Sequence, residues 1–203
     1  MPLKPASRHY CPVCRGKGTI DKNTVCPACF GDGHVAGRNE HGSPYKVLAQ
    51  AVFLPELLRS AIEACAADFG NIQLFDSSGQ ALRIVAQHGF GREFLRFFAI
   101  VREQEAACGT AMRLRSRMIV TEVSSHPIFK GSRACEVVLR ANVNAVQSTP
   151  LIGASGQLLG VLSTHYRRPG GPSRRELQEL DRVIAPYKRI MEEWLGRAVQ
   201  GNG

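Results

Sequence analysis

The alternation of apolar and polar positions predicts a β-hairpin over residues 145–166. Two apolar runs, at 145–151 and 158–164, flank a turn with the sequence Gly153-Ala-Ser-Gly156. β-Branched and aliphatic residues at this density are typical of strands, and a short Gly/Ser connection is of hairpin length. Strands this apolar are normally covered on both faces. We therefore predict that the rest of the main domain is organised around this hairpin.

Apolar spacing predicts helices at both ends of the same region. The first helix covers 45–67 and is interrupted at Pro55, and the last begins at a Ser173–Glu176 capping box, runs past Trp194 and is kinked at Pro186. Between them we predict strands at 71–75, 82–87 and 118–123, short helices opening at 89–91 and 107–111, and a helix from a Ser132 cap to 141. This order predicts an α+β fold, an antiparallel sheet with the terminal helices on one face and the middle segment on the other.

Polar side chains interrupt the predicted strands, and we expect them to share one covered face. A half-polar face beneath a cover is typical of a small-molecule pocket. The alternative is that these groups hydrogen-bond to the overlying backbone. The candidate pocket residues are Asn71, Gln73, Gln147, Thr149, Ser163 and His165.

Four of the seven cysteines form a repeated motif. The pattern CPxCxGxG occurs twice, with Cys11 and Cys14 in the first copy and Cys26 and Cys29 in the second. Two CxxC pairs supply the four thiolates of a closed structural zinc site, and the glycines permit tight turns beside the sulfurs. Because this segment has too few apolar residues for a core, metal must supply its stability. We predict one structural Zn²⁺ in a small knuckle or ribbon, with a redox or disulfide role as the alternative.

A polar, Gly-rich stretch at 37–44 predicts a linker. It separates a zinc-binding module at 1–36 from a main domain at 45–197, which is followed by a tail at 198–203. No run approaches the roughly 20 apolar residues of a membrane span, and the start of the chain lacks the apolar core of a secretory signal. We expect a cytoplasmic protein without membrane contact.

The formal net charge is +9, with +4 up to Lys46 and +5 beyond it. Positive charge is therefore denser in the N-terminal module. Nucleic acid or an acidic partner surface would suit such a module. A basic surface that merely keeps the protein soluble is the other interpretation.

Seven segments of the main domain, taken together and in this order, form a recognisable pattern. They are ADFGNIQLF at 67–75, LRIVAQHGF at 82–90, ACGTA at 107–111, MIVTEV at 118–123, HPIF at 126–129, AVQSTPL at 145–151 and LGVLSTHY at 159–166. This pattern resembles the bacterial GAF domain of sensory signalling proteins. The resemblance covers about residues 45–195. It implies a sheet flanked by helices, with a pocket under the middle segment. Members of the family bind cyclic nucleotides, tetrapyrroles, haem or small metabolites, or bind nothing and mediate dimerisation.

The cysteine motif resembles the zinc finger of DnaJ-type chaperones, which repeats CxxCxGxG. That family carries four copies, which form two sites, whereas this chain has two copies, enough for one. The chain also has no helical J-domain in its sequence pattern. The resemblance therefore implies a zinc site and gives little ground to infer chaperoning.

Cys108 stands at a predicted helix start, where the helix dipole lowers the pKa of a thiol. It is the candidate residue for a cysteine-dependent redox enzyme or sensor. A GAF-like reductase of free methionine sulfoxide also works through cysteine, but its clustered cysteines are missing here, since Cys108 and Cys135 lie on different segments. A packed helix-start residue is the alternative.

Together these patterns predict a non-enzymatic regulatory protein. Its GAF-like domain senses a small ligand or mediates dimerisation, and its zinc finger docks a protein partner. The alternatives are a nucleic-acid-binding regulator that uses the basic finger, and a redox enzyme or sensor. Apolar stripes on the first and last helices favour a homodimer, unless Trp194 folds back onto the first helix. The sequence does not specify the ligand.

Overall fold

The computed structural model describes residues 8–11, 14–15, 17–19, 26, 34–36, 53–78, 80–102 and 106–200, and at 8–10, 34–36 and 194–200 it describes the backbone. The strands are β1 Arg8–Tyr10, β2 His34–Ala36, β3 Phe69–Asp76, β4 Ala81–His88, β5 Ile100–Val101, β6 Met118–Val120, β7 Ala145–Ile152 and β8 Leu158–Tyr166. The helices are α1 Phe53–Ala64, α2 Arg92–Phe97, α3 Ala107–Leu114, α4 Arg133–Arg140 and α5 Arg174–Gln200.

Six strands form one antiparallel sheet in the order β5-β4-β3-β8-β7-β6. The predicted hairpin is confirmed as β7 and β8, and it lies inside the sheet between β3 and β6. Gly156 in its turn adopts a φ of +80°, a conformation that glycine tolerates best. The centre of the sheet is therefore built from the stretch whose alternation is clearest in the sequence.

Gly160 of β8 is required by close contact with the neighbouring strand. A Cβ at this position would lie 2.2 Å from the carbonyl oxygen of Gln73 in β3. Because that oxygen belongs to the backbone, it cannot move aside as a flexible side chain can. The glycine thus allows β3 and β8 to lie side by side in the centre of the sheet.

The terminal helices α1 and α5 cover one face of the sheet, as predicted. Leu54, Leu58 and Ala61 of α1 pack with Leu180 and Ile184 of α5 and with the apolar side chains of the strands below. Ser173 and Glu176 form the predicted capping box at the start of α5. The helix runs through Pro186 and continues to Gln200, into the predicted tail.

The short helices α2, α3 and α4 cover the opposite face. Phe94 and Leu95 of α2, Ala111 of α3 and Val138 of α4 join Val161 of β8 in a second core. Ser132 caps α4 as predicted, because its Oγ accepts a hydrogen bond from the backbone N–H of Cys135 at 3.1 Å. The two cores therefore lie on opposite sides of one sheet.

The structure differs from the sequence prediction at three elements. Strand β5 has two residues, too few to produce an alternating pattern, and the strand predicted at 118–123 ends at Val120. The described part of the first helix, Phe53–Ala64, ends at Ala64 and not at residue 67 as predicted; its predicted start at 45–52 and the predicted linker at 37–44 lie outside the described residues. None of the helices that the structure describes is long and apolar enough to cross a membrane.

Candidate functional site

The strand register divides the six candidate pocket residues between two faces. Gln147 of β7 pairs with Thr164 of β8, and Thr164 stands between Ser163 and His165 along that strand. Cross-strand partners share a face, and neighbours along a strand point in opposite directions. The prediction that Gln147 and Thr149 share a face with Ser163 and His165 is therefore wrong. The hairpin register, which decides this, is set by the turn and cannot be read from either strand alone.

The other four candidates come together. Asn71 pairs with Ser163, and Gln73 and His165 lie on the same face of β3 and β8. These residues line a cavity of about 20 Å³ between the sheet and the covering helices. A volume of this size holds about one water molecule. The remaining lining residues are Phe94, Phe98, Ala106, Ala107, Cys108, Phe129, Val138, Val146 and Ser148.

Three buried polar atoms at this cavity have no hydrogen-bond partner among the described residues. They are Asn71 Oδ1, Gln73 Oε1 and His165 Nδ1. The three residues are 3%, 0% and 5% exposed, so bulk water does not hydrogen-bond to these atoms. Leaving one such atom unpaired costs about 1–3 kcal/mol, and folded proteins have few of them. Three such atoms at one small cavity make it the candidate functional site of the described residues.

The orientation of the Gln73 amide is fixed by its neighbours. Its Nε2 donates to the backbone carbonyl of Phe98 at 3.5 Å, and the side chain also hydrogen-bonds to the thiol of Cys108. The amide nitrogen therefore points towards the segment that covers the sheet, where Phe98 and Cys108 lie. The carbonyl oxygen Oε1 remains available as an acceptor at the cavity.

His165 is neutral in this environment. Burial lowers its pKa from 6.5 to about 3, because desolvation disfavours the imidazolium. Its ring meets those of Phe90 and Phe94 edge to face, with centroids 4.9 and 5.8 Å apart. The neutral ring offers one nitrogen as donor and the other as acceptor, so it can take part in hydrogen bonding but brings no charge.

Cys108 is also uncharged. Burial raises the pKa of its thiol to about 11, and this outweighs the lowering by the backbone N–H groups of Gly109 and Cys108 itself. The expected lowering by the helix start is wrong, because desolvation dominates once the side chain is covered. A protonated thiol is a poor nucleophile. This environment gives no support to the redox interpretation.

Ser148 and the rings of Phe94 and Phe98 are cavity residues that sequence reasoning missed. The hydroxyls of Ser148 and Ser163 share a hydrogen bond at 2.7 Å across the hairpin. Ser148 alternates with Gln147, so assigning Gln147 to the pocket placed Ser148 on the wrong face. The signal that could have found Ser148 is its match with Ser163, since small hydroxyl pairs are common cross-strand partners.

Gln147 and Thr149 belong to a polar chain on the opposite face. Arg117 Nε donates to Thr149 Oγ1 at 2.7 Å, and the Gln147 amide contacts both Thr149 Oγ1 and Thr164 Oγ1, the latter at 2.9 Å. Arg117 also pairs with Asp181 of α5. Because these polar groups are paired with one another, Gln147 and Thr149 have a structural role between the sheet and α5.

Three of the four predicted metal ligands are placed together. The sulfurs of Cys11, Cys14 and Cys26 lie within 4.8 Å of one another, and those of Cys11 and Cys26 are 3.7 Å apart. The backbone N–H of Gly18 donates to Cys14 Sγ at 3.2 Å. Zn–S bonds of about 2.3 Å in a tetrahedron separate the sulfurs by about 3.8 Å, so the spacing suits zinc. Cys29 lies outside the described residues.

Strands β1 and β2 bring the ends of this module together. Tyr10 pairs with His34, so the residue before Cys11 lies beside the chain that follows the second CPxC pair. Such pairing suits a small unit closed around its cysteines. The described pairing joins residues 8–10 to residues 34–36, and the DnaJ-type resemblance of the sequence has no support beyond the motif.

Solved structures with the same fold include domains of a sensor histidine kinase protein and of a phosphotransferase, and a reductase. A domain of a two-component sensor histidine kinase protein from Sinorhizobium meliloti has 21% identity and a TM-score of 0.55, over 73% of this chain and 93% of that chain. The GAF domain of an Acinetobacter phosphoenolpyruvate-protein phosphotransferase has 16% identity and a TM-score of 0.57, over 79% and 93%. A free methionine-R-sulfoxide reductase from Neisseria meningitidis, solved with its substrate, has 14% identity and a TM-score of 0.55, over 78% and 87%.

A search of curated protein sequences gave no match. A sequence profile of the GAF domain, in contrast, matches residues 50–192, which include the whole sheet and both terminal helices up to Glu192. The fold, the covered cavity and this match agree with the resemblance in the sequence. Over most of its length, this chain is a member of the GAF domain family.

Proposed function

We propose that this chain is a regulatory protein whose GAF domain binds a small molecule in the cavity between the sheet and helices α2, α3 and α4. The observation that carries the proposal is the convergence of Asn71 Oδ1, Gln73 Oε1 and His165 Nδ1, three buried polar atoms without described partners, on one cavity. Binding sites retain such groups at a cost in stability because the ligand satisfies them.

The role proposed for this site is binding and not catalysis. His165 is neutral and Cys108 is protonated, so neither of these titratable side chains supplies a ready base or thiolate near neutral pH. The remaining polar groups of the described lining are amides and hydroxyls. These side chains position a ligand by hydrogen bonds. The expected output is a change in fold stability or in contacts with a partner.

A ligand larger than water requires the covering segment to move. The cover over Asn71 and Gln73 consists of short pieces, since α2 has six residues and β5 has two. The rings of Phe94 and Phe98 form its inner surface. Short elements with few stabilising contacts open at lower free energy than a central strand. Displacement of these rings would enlarge the cavity without disturbing the sheet.

A thermal-shift screen of a metabolite library against the full chain tests this proposal. A matched variant, Ser148→Ala with Ser163→Val, removes both members of the hydroxyl pair and adds methyl groups to the cavity, so that no hydroxyl is left unpaired. We expect at least one compound to raise the melting temperature of the wild type and of Ser155→Ala, a control in the exposed hairpin turn. The same compound should have no effect on the filled variant.

Two outcomes would contradict the proposal. If no compound stabilises the wild type, the cavity is a packing defect that holds solvent. If a compound stabilises the filled variant as strongly as the wild type, it binds elsewhere. Either result would leave the domain with a structural or dimerisation role.

We further propose that Cys11, Cys14, Cys26 and Cys29 bind one structural zinc ion that holds the N-terminal module together. The proximity of the three described sulfurs supports this. Elemental analysis should give one zinc per chain. Cys26→Ser should lose the metal and unfold the module, while the GAF domain keeps its thermal transition. A wild-type protein without zinc, or a Cys26→Ser variant that retains it fully, would refute the site.

We propose that this module docks a protein partner through an acidic surface of that partner, in line with the excess of positive charge in its sequence. Nucleic acid is the competing partner. Binding to duplex DNA that falls steeply as salt rises would favour nucleic acid. Absence of such binding, together with co-purification of a protein that is lost in Cys26→Ser, is the result that we expect.

A further inference from the structure

We infer that the ligand of this cavity is an uncharged carboxamide-type molecule, which donates hydrogen bonds to Asn71 and Gln73 and presents a flat apolar part to Phe94 and Phe98. The inference rests on the proposed function, because it describes what the same cavity selects.

The floor of the cavity offers acceptors without described partners. Asn71 Oδ1 and Gln73 Oε1 lie on one face of β3, two residues apart, so their side chains point the same way. The Gln73 amide cannot turn its nitrogen to the cavity without losing the bonds to Phe98 and Cys108. An acceptor held in this way is matched by an N–H or O–H donor. A primary amide supplies two N–H donors from one nitrogen.

The described wall of the cavity carries no formal charge. Its polar members are amides, hydroxyls, one thiol and one imidazole, and the others are apolar. An ionised ligand would lose its hydration on entering and would find no described counter-ion, which is strongly unfavourable. The wall therefore selects neutral molecules and disfavours free carboxylates, phosphates and ammonium groups.

The start of α3 supplies the complementary partner for a carbonyl. Ala106, Ala107 and Cys108 line the cavity opposite the floor, and Ala106, at the N-cap position, makes no side-chain capping bond. The first N–H groups of a helix have no intrahelical acceptor and carry partial positive charge. Those of Cys108 and Gly109 hydrogen-bond to the Cys108 thiol, which leaves the N–H of Ala107 for a ligand carbonyl. This helix end, together with the acceptors on β3, fits the carbonyl and the N–H₂ of one amide group.

The aromatic rings that cover the cavity favour a ligand with a flat apolar group. The rings of Phe94 and Phe98 have centroids 4.6 Å apart and both line the cavity. Rings at this separation form an apolar surface on which a flat group can stack once the cover is displaced. A carboxamide attached to a ring satisfies all three parts of the wall at the same time.

A series of four related compounds tests the inference. Benzamide has the carbonyl and two N–H donors, N,N-dimethylbenzamide lacks the donors, benzoate is an anion and benzamidinium is a cation. Binding to the full chain is measured by amide chemical shifts in NMR, which also locate each compound. We expect benzamide alone to shift the signals of residues 71–73 and 163–165. We expect Asn71→Leu, after its fold is checked by circular dichroism, to weaken benzamide binding about tenfold, the effect of one good hydrogen bond.

Each other outcome has a defined meaning. If benzoate or benzamidinium binds at these residues more tightly than benzamide, the selection for neutral ligands is refuted, but the cavity remains a ligand site. Equal binding of benzamide and its dimethyl derivative refutes the role of the donors. Failure of all four compounds refutes the carboxamide class, and the library screen against the filled variant then decides separately on the proposed function.

Discussion

Replacing Asn71 by leucine should make the unliganded protein more stable. Asn71 is 3% exposed, and its Oδ1 is one of the three buried atoms without a described partner. Leucine has nearly the same volume, carries no polar atom and adds an apolar side chain to the Phe94 side of the core. Because the site is proposed to accept a ligand, its native residue is expected to be worse for folding than an apolar one.

The magnitude follows from the cost of an unpaired buried acceptor, about 1–3 kcal/mol. A water molecule at the cavity would hydrogen-bond to the Asn71 oxygen and so reduce part of this free-energy cost. We therefore expect the free energy of unfolding to rise by about 1 kcal/mol. For a domain of this size, that corresponds to an increase in melting temperature of about 2–4 °C.

Urea unfolding of the full chain, followed by far-UV circular dichroism, measures this change. Ser163→Ala is the matched control on the same face, since its hydroxyl is paired with Ser148 at 2.7 Å. Its removal leaves the Ser148 hydroxyl without that bond, so its free energy of unfolding should fall by about 1–3 kcal/mol. If Asn71→Leu destabilises the protein as Ser163→Ala does, Asn71 is a structural residue and the reasoning from unpaired atoms is refuted.

Three further predictions concern pH, packing and assembly. Because the pKa of His165 falls from 6.5 to about 3 on folding, the unfolded chain binds more protons between these values and stability declines as pH falls from 6.5 towards 3; His165→Gln should flatten this decline in urea titrations, and an unchanged slope would contradict it. Gly160→Ala should destabilise by about 1–3 kcal/mol or more, because its Cβ meets backbone. In the same unfolding assay, Gly91→Ala has open space around its Cβ and should cost less than about 1 kcal/mol, the effect of alanine at the N-cap of α2. Light scattering at micromolar concentration should give twice the 22.2 kDa chain mass, and a monomer mass unchanged by Trp194→Ala would exclude the helical dimer.

The sequence was most informative where one local pattern decides the outcome. The capping residues Ser132 and Ser173 correctly predict the starts of α4 and α5, because a cap is a contact within one turn. The hairpin at 145–166 was predictable because its alternation and its turn agree. The order of helices and strands along the chain also predicted that the terminal helices cover one face of the sheet and the middle segment covers the other.

The candidate site could be predicted only in part, because it depends on relations between strands. Asn71 and Gln73 were assigned to one face correctly, since they alternate along a single strand. Gln147 was placed on the wrong face because a shift of one residue in the β7–β8 register exchanges the two sides. The uncharged state of Cys108 was missed for a related reason, since burial under the short helices is not visible in its local sequence.

The claim that the cavity holds a small molecule is tested most directly by native mass spectrometry of the full chain purified from its own host. We expect the mass of the chain with one zinc ion and one additional small neutral molecule. Mild activation should release that molecule, and Asn71→Leu should be found without it. A wild-type mass that never exceeds the chain and its metal, under conditions that preserve non-covalent complexes, would contradict the claim.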